Sequence, residues 1–283
     1  MSRELPSFDL VVATVGRTEE LARFLDSVAG QGYEPVRVLV VDQNDDDRVD
    51  ELLAGRPGEL VHLHAPQGLS RARNAALARI EADLVAFPDD DCVYPPGLLA
   101  RVAERFAADD ELDGLTGRAE SADGASSPSW KADPASLTDD NLWNRAISFS
   151  IFLRRRLVER VGPFDERLGL GSQEPWGSGE ETDYLIRALR TGARIEYDPA
   201  LVIHHDVRPD DGRIGYRDGA SMGFLLRKHG YPPRVVARML VRPLGGMAAA
   251  LVGLDGARTR YYTATLRGRV RGYFGASRSK ISA

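Results

Sequence analysis

FDLVVATVGRTEELARFLDSVAGQGYEPVRVLVVD, residues 8–42, carries the hydrophobic pattern of a strand, a helix and a second strand. Residues 8–15 are apolar on both alternating faces except at Asp9 and Thr14, and residues 36–41 form a second apolar run that ends at Asp42. Strands of this kind are buried on both sides. Between them, Thr18 is placed to cap a helix with Glu19 and Glu20 in its first turn, and Leu21, Phe24, Leu25 and Val28 recur at helical spacing on one face. Gly30 ends it.

The same alternation continues outward. Residues 49–53 predict a short helix, 60–63 a strand, 70–80 a helix and 84–87 a strand. Strands alternating with helices at this spacing imply a mostly parallel α/β sheet with helices on both faces, and such sheets bind ligands beyond the carboxyl ends of their strands. Polar residues gather there: Thr14 to Arg17, Asp42 to Asp47, and Asp89 to Asp91. Further on, the pattern predicts a helix over 98–106, a strand over 112–117, a polar loop over 121–140 and a strand over 146–152. It then predicts a helix over 180–191 and strands over 194–197 and 201–205. Beyond residue 207 it predicts helices over 216–229, 233–240 and 255–271, broken at Tyr231-Pro232-Pro233 and at Pro243-Leu244-Gly245-Gly246.

With 283 residues, 43% apolar and 28% charged, the composition is that of a globular chain and excludes disordered and collagen-like classes. Cys92 is the only cysteine, so a disulfide framework and a cysteine zinc site both drop out, and any metal must be held by carboxylates and imidazoles. The N-terminus has no secretory signal pattern, and the uncharged run 244–254 falls short of the ~20 residues a bilayer requires. A cytoplasmic protein that does not cross a membrane is therefore expected. Charge is uneven: residues 208–283 carry a net +11 and the rest −16, for −5 overall. A basic segment of this kind suits nucleic acid, an anionic membrane surface or the acidic part of its own chain, and no nucleic-acid partner is expected here.

Asp89-Asp90-Asp91 follows a strand expected to be buried, so three like charges meet at a sheet mouth and call for a counter-charge. A hard divalent cation, Mg2+ or Mn2+, fits oxygen ligands and completes its shell with phosphates. Glu180, Glu181 and Asp183 open a helix after the glycine-rich segment 169–177, beside Trp176, an aromatic suited to covering a sugar ring. His204 and His205 end a strand, and alternation lets at most one of them reach a given site. His62, His64 and His229 lack such company and are expected to be structural. Arg71 and Arg73 in a helix's first turn, followed by Asn74, suit a bound diphosphate. Dinucleotide, P-loop and serine-hydrolase motifs are absent from the sequence.

In this order VVATVGR, VLVVDQND, GLSRARNAAL, LVAFPDDDC, VGPFDERLG, GEETDYLIRALRTG and DPALVIHH resemble the family 2 glycosyltransferases over about residues 8–206. The resemblance implies the GT-A fold, inversion at the anomeric carbon and a nucleotide-diphosphate-sugar donor. It implies a catalytic domain over 1–207, with a nucleotide-binding half (1–92) and an acceptor-binding half (93–207), and leaves 208–283 as a basic helical extension. By the same resemblance Thr14, Arg17, Asp42, Arg71, Arg73 and Asn74 serve the donor. Asp89 and Asp91 match the DxD pair, with Asp91 on the metal and Asp89 or Asp90 on the ribose or a metal-bound water. His204 or His205 meets the metal from the last strand. Glu181 takes the base position, with Glu180 and Asp183 as alternatives, since Glu stands where the family has Asp.

Two turns depart from the family pattern, Ala13-Thr14-Val15-Gly16 and Asp42-Gln43-Asn44-Asp45. The acceptor, whether a glycan as in polysaccharide biosynthesis, a lipid-linked sugar or a small molecule, is unspecified. A non-catalytic sugar-binding protein and a sugar nucleotidyltransferase are the competing readings; the latter lacks its glycine-rich activating loop. For the extension the expectations are a peripheral contact at the inner membrane face, or a cap on the acidic domain, with a homodimer as a further option.

Overall fold

The computed structural model describes residues 5–121, 123–126, 130–206 and 211–275. Two compact units are formed: residues 1–164 with 184–207, and residues 165–183 with 208–283.

The first unit is built on the strand–helix alternation. Strand β1 (Phe8–Thr14) is followed by α1 (Glu19–Ala29), β2 (Val36–Asp42), α2 (Arg48–Leu53), β3 (Glu59–His64), α3 (Leu69–Leu77) and β4 (Leu84–Ala86). Then come α4 (Leu98–Ala108), β5 (Gly114–Glu120), β6 (Ala135–Ser136), β7 (Ile151–Arg154), α5 (Arg155–Val161), α6 (Glu180–Arg190), whose first four residues belong to the second unit, and β8 (Ile195–His204). The eight strands lie in one sheet in the order β3-β2-β1-β4-β7-β5-β8-β6. β1, β2, β3 and β4 are mutually parallel, β7 runs against β4 and β5, and β5 and β8 are parallel, so the sheet is mixed. The chain reverses its order of travel between β1 and β4, and the crevice at their carboxyl ends is where a ligand belongs.

Apolar side chains of α1 and α4 close one side of this sheet: Phe24, Leu25, Leu98, Leu99 and Val102 join Phe8, Leu10, Val12 and Phe152 in one core. Phe8 meets Tyr33 and Phe152 edge-on at 5.3 and 6.4 Å, the favoured contact of aromatic quadrupoles. Asp9, fully buried at the start of β1, is satisfied by Arg37 Nε (2.8 Å) and Nη2 (3.1 Å) and by the N–H groups of Glu81 (2.6 Å) and Ala82 (2.9 Å).

Three departures from the sequence expectations have identifiable physical causes. The two strands expected over 194–205 are one, β8, whose pairing with β5 slips between Thr116 and Arg118. Gly117 lies at the slip; a Cβ there would strike the Leu201 carbonyl. The strand expected over 146–152 begins as a 3-10 turn at Ser148–Ser150, because Ser150 Oγ engages the carbonyls of Ile147 (2.9 Å) and Gly117 (3.1 Å). The helix expected to stop before Pro243 runs on.

That helix belongs to the second unit, where α7 (Gly212–Lys228), α8 (Pro233–Val252) and α9 (Gly256–Gly275) pack together. Pro243 has no N–H for the carbonyl of Met239 one turn back. Arg269 of α9 donates Nη1 to that carbonyl instead, so the helix survives its proline. α7 and α9 approach closely: a Cβ on Gly219 would strike the backbone of Thr265, and one on Gly272 the backbone of Ala220. By length and composition alone, α8 is long and apolar enough to cross a membrane, which the uncharged run 244–254 had not suggested.

Candidate active site

The carboxyl ends of β1, β4 and β8 meet at one place. Ala13 bridges to Asp89 and Val93 to His204, which fixes the loop after β4 between the strands on either side. Asp90, buried, accepts from Thr14 Oγ1 at 2.8 Å and from Arg17 Nη1 at 2.8 Å. Asp91 accepts from Arg17 Nη1 at 2.5 Å. Asp89 Oδ1 lies 3.2 Å from Ser148 Oγ and 3.5 Å from Arg73 Nη2. The carboxylates therefore already have cationic partners from the protein, Arg17 and Arg73, and a metal is not the sole counter-charge the sequence suggested.

The two histidines separate as strand alternation requires. His204 is held by its backbone, paired with Val93 in both directions (2.8 and 3.0 Å). His205 turns to the carboxylates, stacked on Phe149 at 4.7 Å with the rings 5° from parallel. Its Nδ1 lies 2.7 Å from the Asp206 carbonyl, which only accepts, so Nδ1 carries the proton. In the neutral ring Nε2 then presents a lone pair 3.2 Å from Asp91 Oδ1, and this nitrogen is buried with no hydrogen-bond partner among the described residues. A lone pair facing a carboxylate needs a cation between them, a proton or a metal.

One oxygen or nitrogen each from Asp89, Asp91 and His205 lies within 4.8 Å of the others, which suits a divalent ion. The outer contacts fit as well: the histidine's far nitrogen is anchored on a carbonyl, and Asp89 is steadied by Ser148. Electrostatics agree. Burial alone would raise the Asp91 carboxyl, but His205 and Arg17 outweigh it and hold it at about 2. Burial lifts Asp90 above the usual range despite Thr14 and Arg17. His205 is raised, because Asp91 and Asp89 overcome its burial. Cys92, next in sequence, is fully buried and its thiol is pushed up by burial and by Asp89, so it is no nucleophile.

The remaining donor-side residues are distributed differently. Arg73 is buried to 1% exposure, with its guanidinium 5.7 and 5.5 Å from the ring centres of Phe87 and Phe164, and its reach is to Asp89. Asn74 ties down Phe164 through both amide groups, at 2.7 and 3.0 Å. Arg71 is partly exposed and its guanidinium touches the Gln67 carbonyl at 3.3 Å. Asp42 has no exposed side-chain surface; Oδ1 accepts from the backbone N–H of Asn44 (2.8 Å) and from its amide (2.7 Å), and Oδ2 faces His62 at 3.3 Å.

In the second unit the three acids at the start of α6 are not equivalent. Asp183 is fully buried between Lys228 Nζ (2.5 Å) and His229 Nε2 (2.8 Å). Lys228 also reaches Asp165 at 2.7 Å, and Arg167 and Lys228 hold that carboxyl well below its ordinary range despite burial, which pushes it up. Glu180 is 4% exposed, and Glu181 alone of the three is partly exposed. Trp176 corrects an expectation: it does not stand open to a sugar. It is buried to 4% exposure and lies flat on Phe224, ring centres 4.3 Å apart, because an indole in a glycine-rich segment gains most by burial. Sequence reasoning did not single out Ser148 and Phe149, which come from a turn whose shape depends on β5; Ser-Phe before an apolar strand carries no signal of its own.

Residues 9–163, more than half of the chain, match Glycosyl transferase family 2, and the chain belongs to that family. Among curated proteins, an uncharacterized glycosyltransferase of Nostoc is 29% identical over 171 residues, covering 55% of this chain and 53% of its own length. The pre-mycofactocin glycosyltransferase of Mycobacterium tuberculosis is 27% identical over 70% of this chain and 42% of its own. A succinoglycan biosynthesis protein of Rhizobium meliloti is 28% identical over 72% and 62%. The chain thus spans about half the length of the first two relatives. A mannosyltransferase from Pyrobaculum calidifontis, solved with GDP-Man and Mn2+, superposes with a TM-score of 0.69 at 16% identity, over 97% of this chain and 89% of its own. TarS of S. aureus superposes with a TM-score of 0.62 at 18% identity, over 94% and 55%. These likenesses show a shared fold, the GT-A fold.

Proposed function

We propose that this chain is an inverting glycosyltransferase that takes a sugar from a nucleoside diphosphate donor with the help of Mg2+ or Mn2+ at Asp89, Asp91 and His205. The observation that carries the reading is the buried Nε2 of His205, 3.2 Å from Asp91 and grouped with both carboxylates of the DxD pair. The GDP-Man and Mn2+ complex of the Pyrobaculum calidifontis fold neighbour supports it. A divalent ion held there supplies positive charge to the diphosphate as the bond to the sugar breaks.

The protein's own groups have separate tasks. Arg73, buried against two rings, and Ser148 orient Asp89. Thr14 fixes Asp90. Arg17, 46% exposed at its side chain, has the reach to leave the carboxylates for the diphosphate when a cation replaces it, and Arg71 is the second phosphate contact. Asn74 serves by holding the Phe164 backbone, and Asp42 by supporting the strand end near the base. Glu181 removes the proton from the acceptor hydroxyl. Glu180 and Asp183 are buried and Glu181 is partly exposed, so exposure favours Glu181 as the base.

The acceptor is a hydroxyl of a glycan, a lipid-linked sugar or a small molecule, and the work is done at the cytoplasmic face of a membrane. Leu251 and Val252 at the end of α8 and Leu254 just beyond it are 55, 87 and 92% exposed, in a segment flanked by Arg242 and Arg258, a combination suited to anionic lipid. Residues 1–207 are proposed as the catalytic domain and 208–283 as its extension. The test is nucleoside diphosphate release from a panel of nucleotide sugars with Mn2+, with and without EDTA. Metal-dependent release from one donor establishes the activity; absence of both release and metal-dependent nucleotide binding replaces it with a non-catalytic sugar-binding role.

A further inference from the structure

We infer a second cation site, built from Asp42, His62 and His64 at the carboxyl ends of β2 and β3, that takes a zinc-class transition ion. His62 and His64 are two residues apart on β3 and so project to one side of the sheet. Asp42 pairs with His64 in the parallel register of β2 and β3, so its carboxylate stands beside both rings. Asp42 Oδ2 lies 3.3 Å from His62 Nε2 and 3.9 Å from His64 Nδ1, and the ring centres are 4.5 Å apart. One ligand atom from each lies within 4.8 Å of the others.

The protonation pattern points to a cation. His62 Nδ1 is 2.9 Å from Asp50 Oδ1 in α2; an ionised carboxylate only accepts, so Nδ1 bears the proton. In the neutral ring Nε2 then turns a lone pair to Asp42 Oδ2. The other oxygen of Asp42 is taken by the two N–H donors of Asn44. Two electron-rich atoms thus face each other with their outer sides already occupied. A carboxylate behind an imidazole, and N–H groups behind a carboxylate, are the usual outer contacts of bound metal.

The geometry and donor set select the ion. With metal–ligand bonds of roughly 2.0–2.2 Å, tetrahedral zinc separates its ligands by about 3.3 Å, close to the distances here. Two imidazoles and one carboxylate favour zinc, cobalt or nickel over magnesium, which prefers oxygen. His64 is 64% exposed at its side chain, so the fourth position opens to solvent. Asp42 is also the residue placed near the donor base, but neither this geometry nor its test depends on the glycosyltransferase reading.

The experiment is a Zn2+ titration of the full chain carrying Asp91→Ala, which disables the DxD–histidine site, in excess Mg2+. One equivalent should bind, and adding His64→Ala should weaken it at least about tenfold, as should Asp50→Ala, which removes only an outer contact. Co2+ should give the intense visible absorption of a four-coordinate ion in Asp91→Ala and not in Asp91→Ala/His64→Ala. Should Asp91→Ala fail to fold, wild type against His64→Ala alone should differ by one equivalent of Zn2+. Equal zinc binding with and without His64, or a Co2+ spectrum of the hydrated ion, overturns the site and leaves His62 as an imidazolium shared by Asp42 and Asp50.

Discussion

Replacing His205 by Phe keeps the flat contact with Phe149 and deletes both ring nitrogens, the Nε2 that faces Asp91 at 3.2 Å and the Nδ1 anchored on the Asp206 carbonyl at 2.7 Å. Loss of an outer-shell contact to a metal ligand weakens binding by roughly 10–100-fold, and loss of one of three protein ligands should do no less, which is about 1.4–2.7 kcal/mol. By linkage, Mn2+ at about 100 times its dissociation constant stabilises wild type by about 2.7 kcal/mol, whereas a variant with a hundredfold weaker site gains only about 0.4 kcal/mol. The thermal shift on adding Mn2+ with a nucleoside diphosphate should therefore nearly vanish, and calorimetric affinity should fall in parallel. Asp91→Ala serves as the reference for a disabled site. Should His205→Phe bind Mn2+ within about twofold of wild type while Asp91→Ala does not bind, the imidazole is no ligand and the lone-pair argument fails.

Glu181→Gln should lower turnover by about 10²–10⁴-fold with donor affinity kept, read by initial rates and nucleotide calorimetry; a normal rate would reassign the base. Arg37→Ala strands the buried Asp9 carboxylate without its ion partner and should destabilise the first unit by about 3–5 kcal/mol in urea unfolding. Gly272→Val forces side-chain atoms into the Ala220 backbone and should loosen α9 from α7, costing about 1–3 kcal/mol or more, visible as faster proteolysis of the C-terminal helices. Asp165 has a depressed folded pKa, so its contribution is present above its unfolded value near about 4 and is lost as pH falls below it; Asp165→Asn should flatten acid unfolding in that window.

Several features of the site were legible in the sequence because they are local. Asp89, Asp90 and Asp91 had to leave β4 together, and alternation along β8 meant that His204 and His205 would part company. Pro243-Leu244-Gly245-Gly246 misled because its compensation is remote: the Arg269 side chain that replaces the lost N–H lies 26 residues after the proline. Trp176 misled for a similar reason, since Phe224, which covers it, lies on another helix. His62 and His64 were set aside as structural, and only the register of β3 on β2 brings them to Asp42.

By itself, then, the sequence determined the strand–helix alternation as far as β4 and the run of acids at the sheet's mouth, which follow from periodicity within a few residues, while its motifs, taken in order, carried the resemblance to the family. The tertiary structure alone decided which histidine faces Asp91, that Arg17 and Arg73 already neutralise the carboxylates, that Asp183 is locked by Lys228 and His229, and that Asp42 sits beside two imidazoles. The reason is physical: a side chain's charge state and freedom depend on partners distant in sequence, and those partners are assigned only when the sheet registers and helices pack.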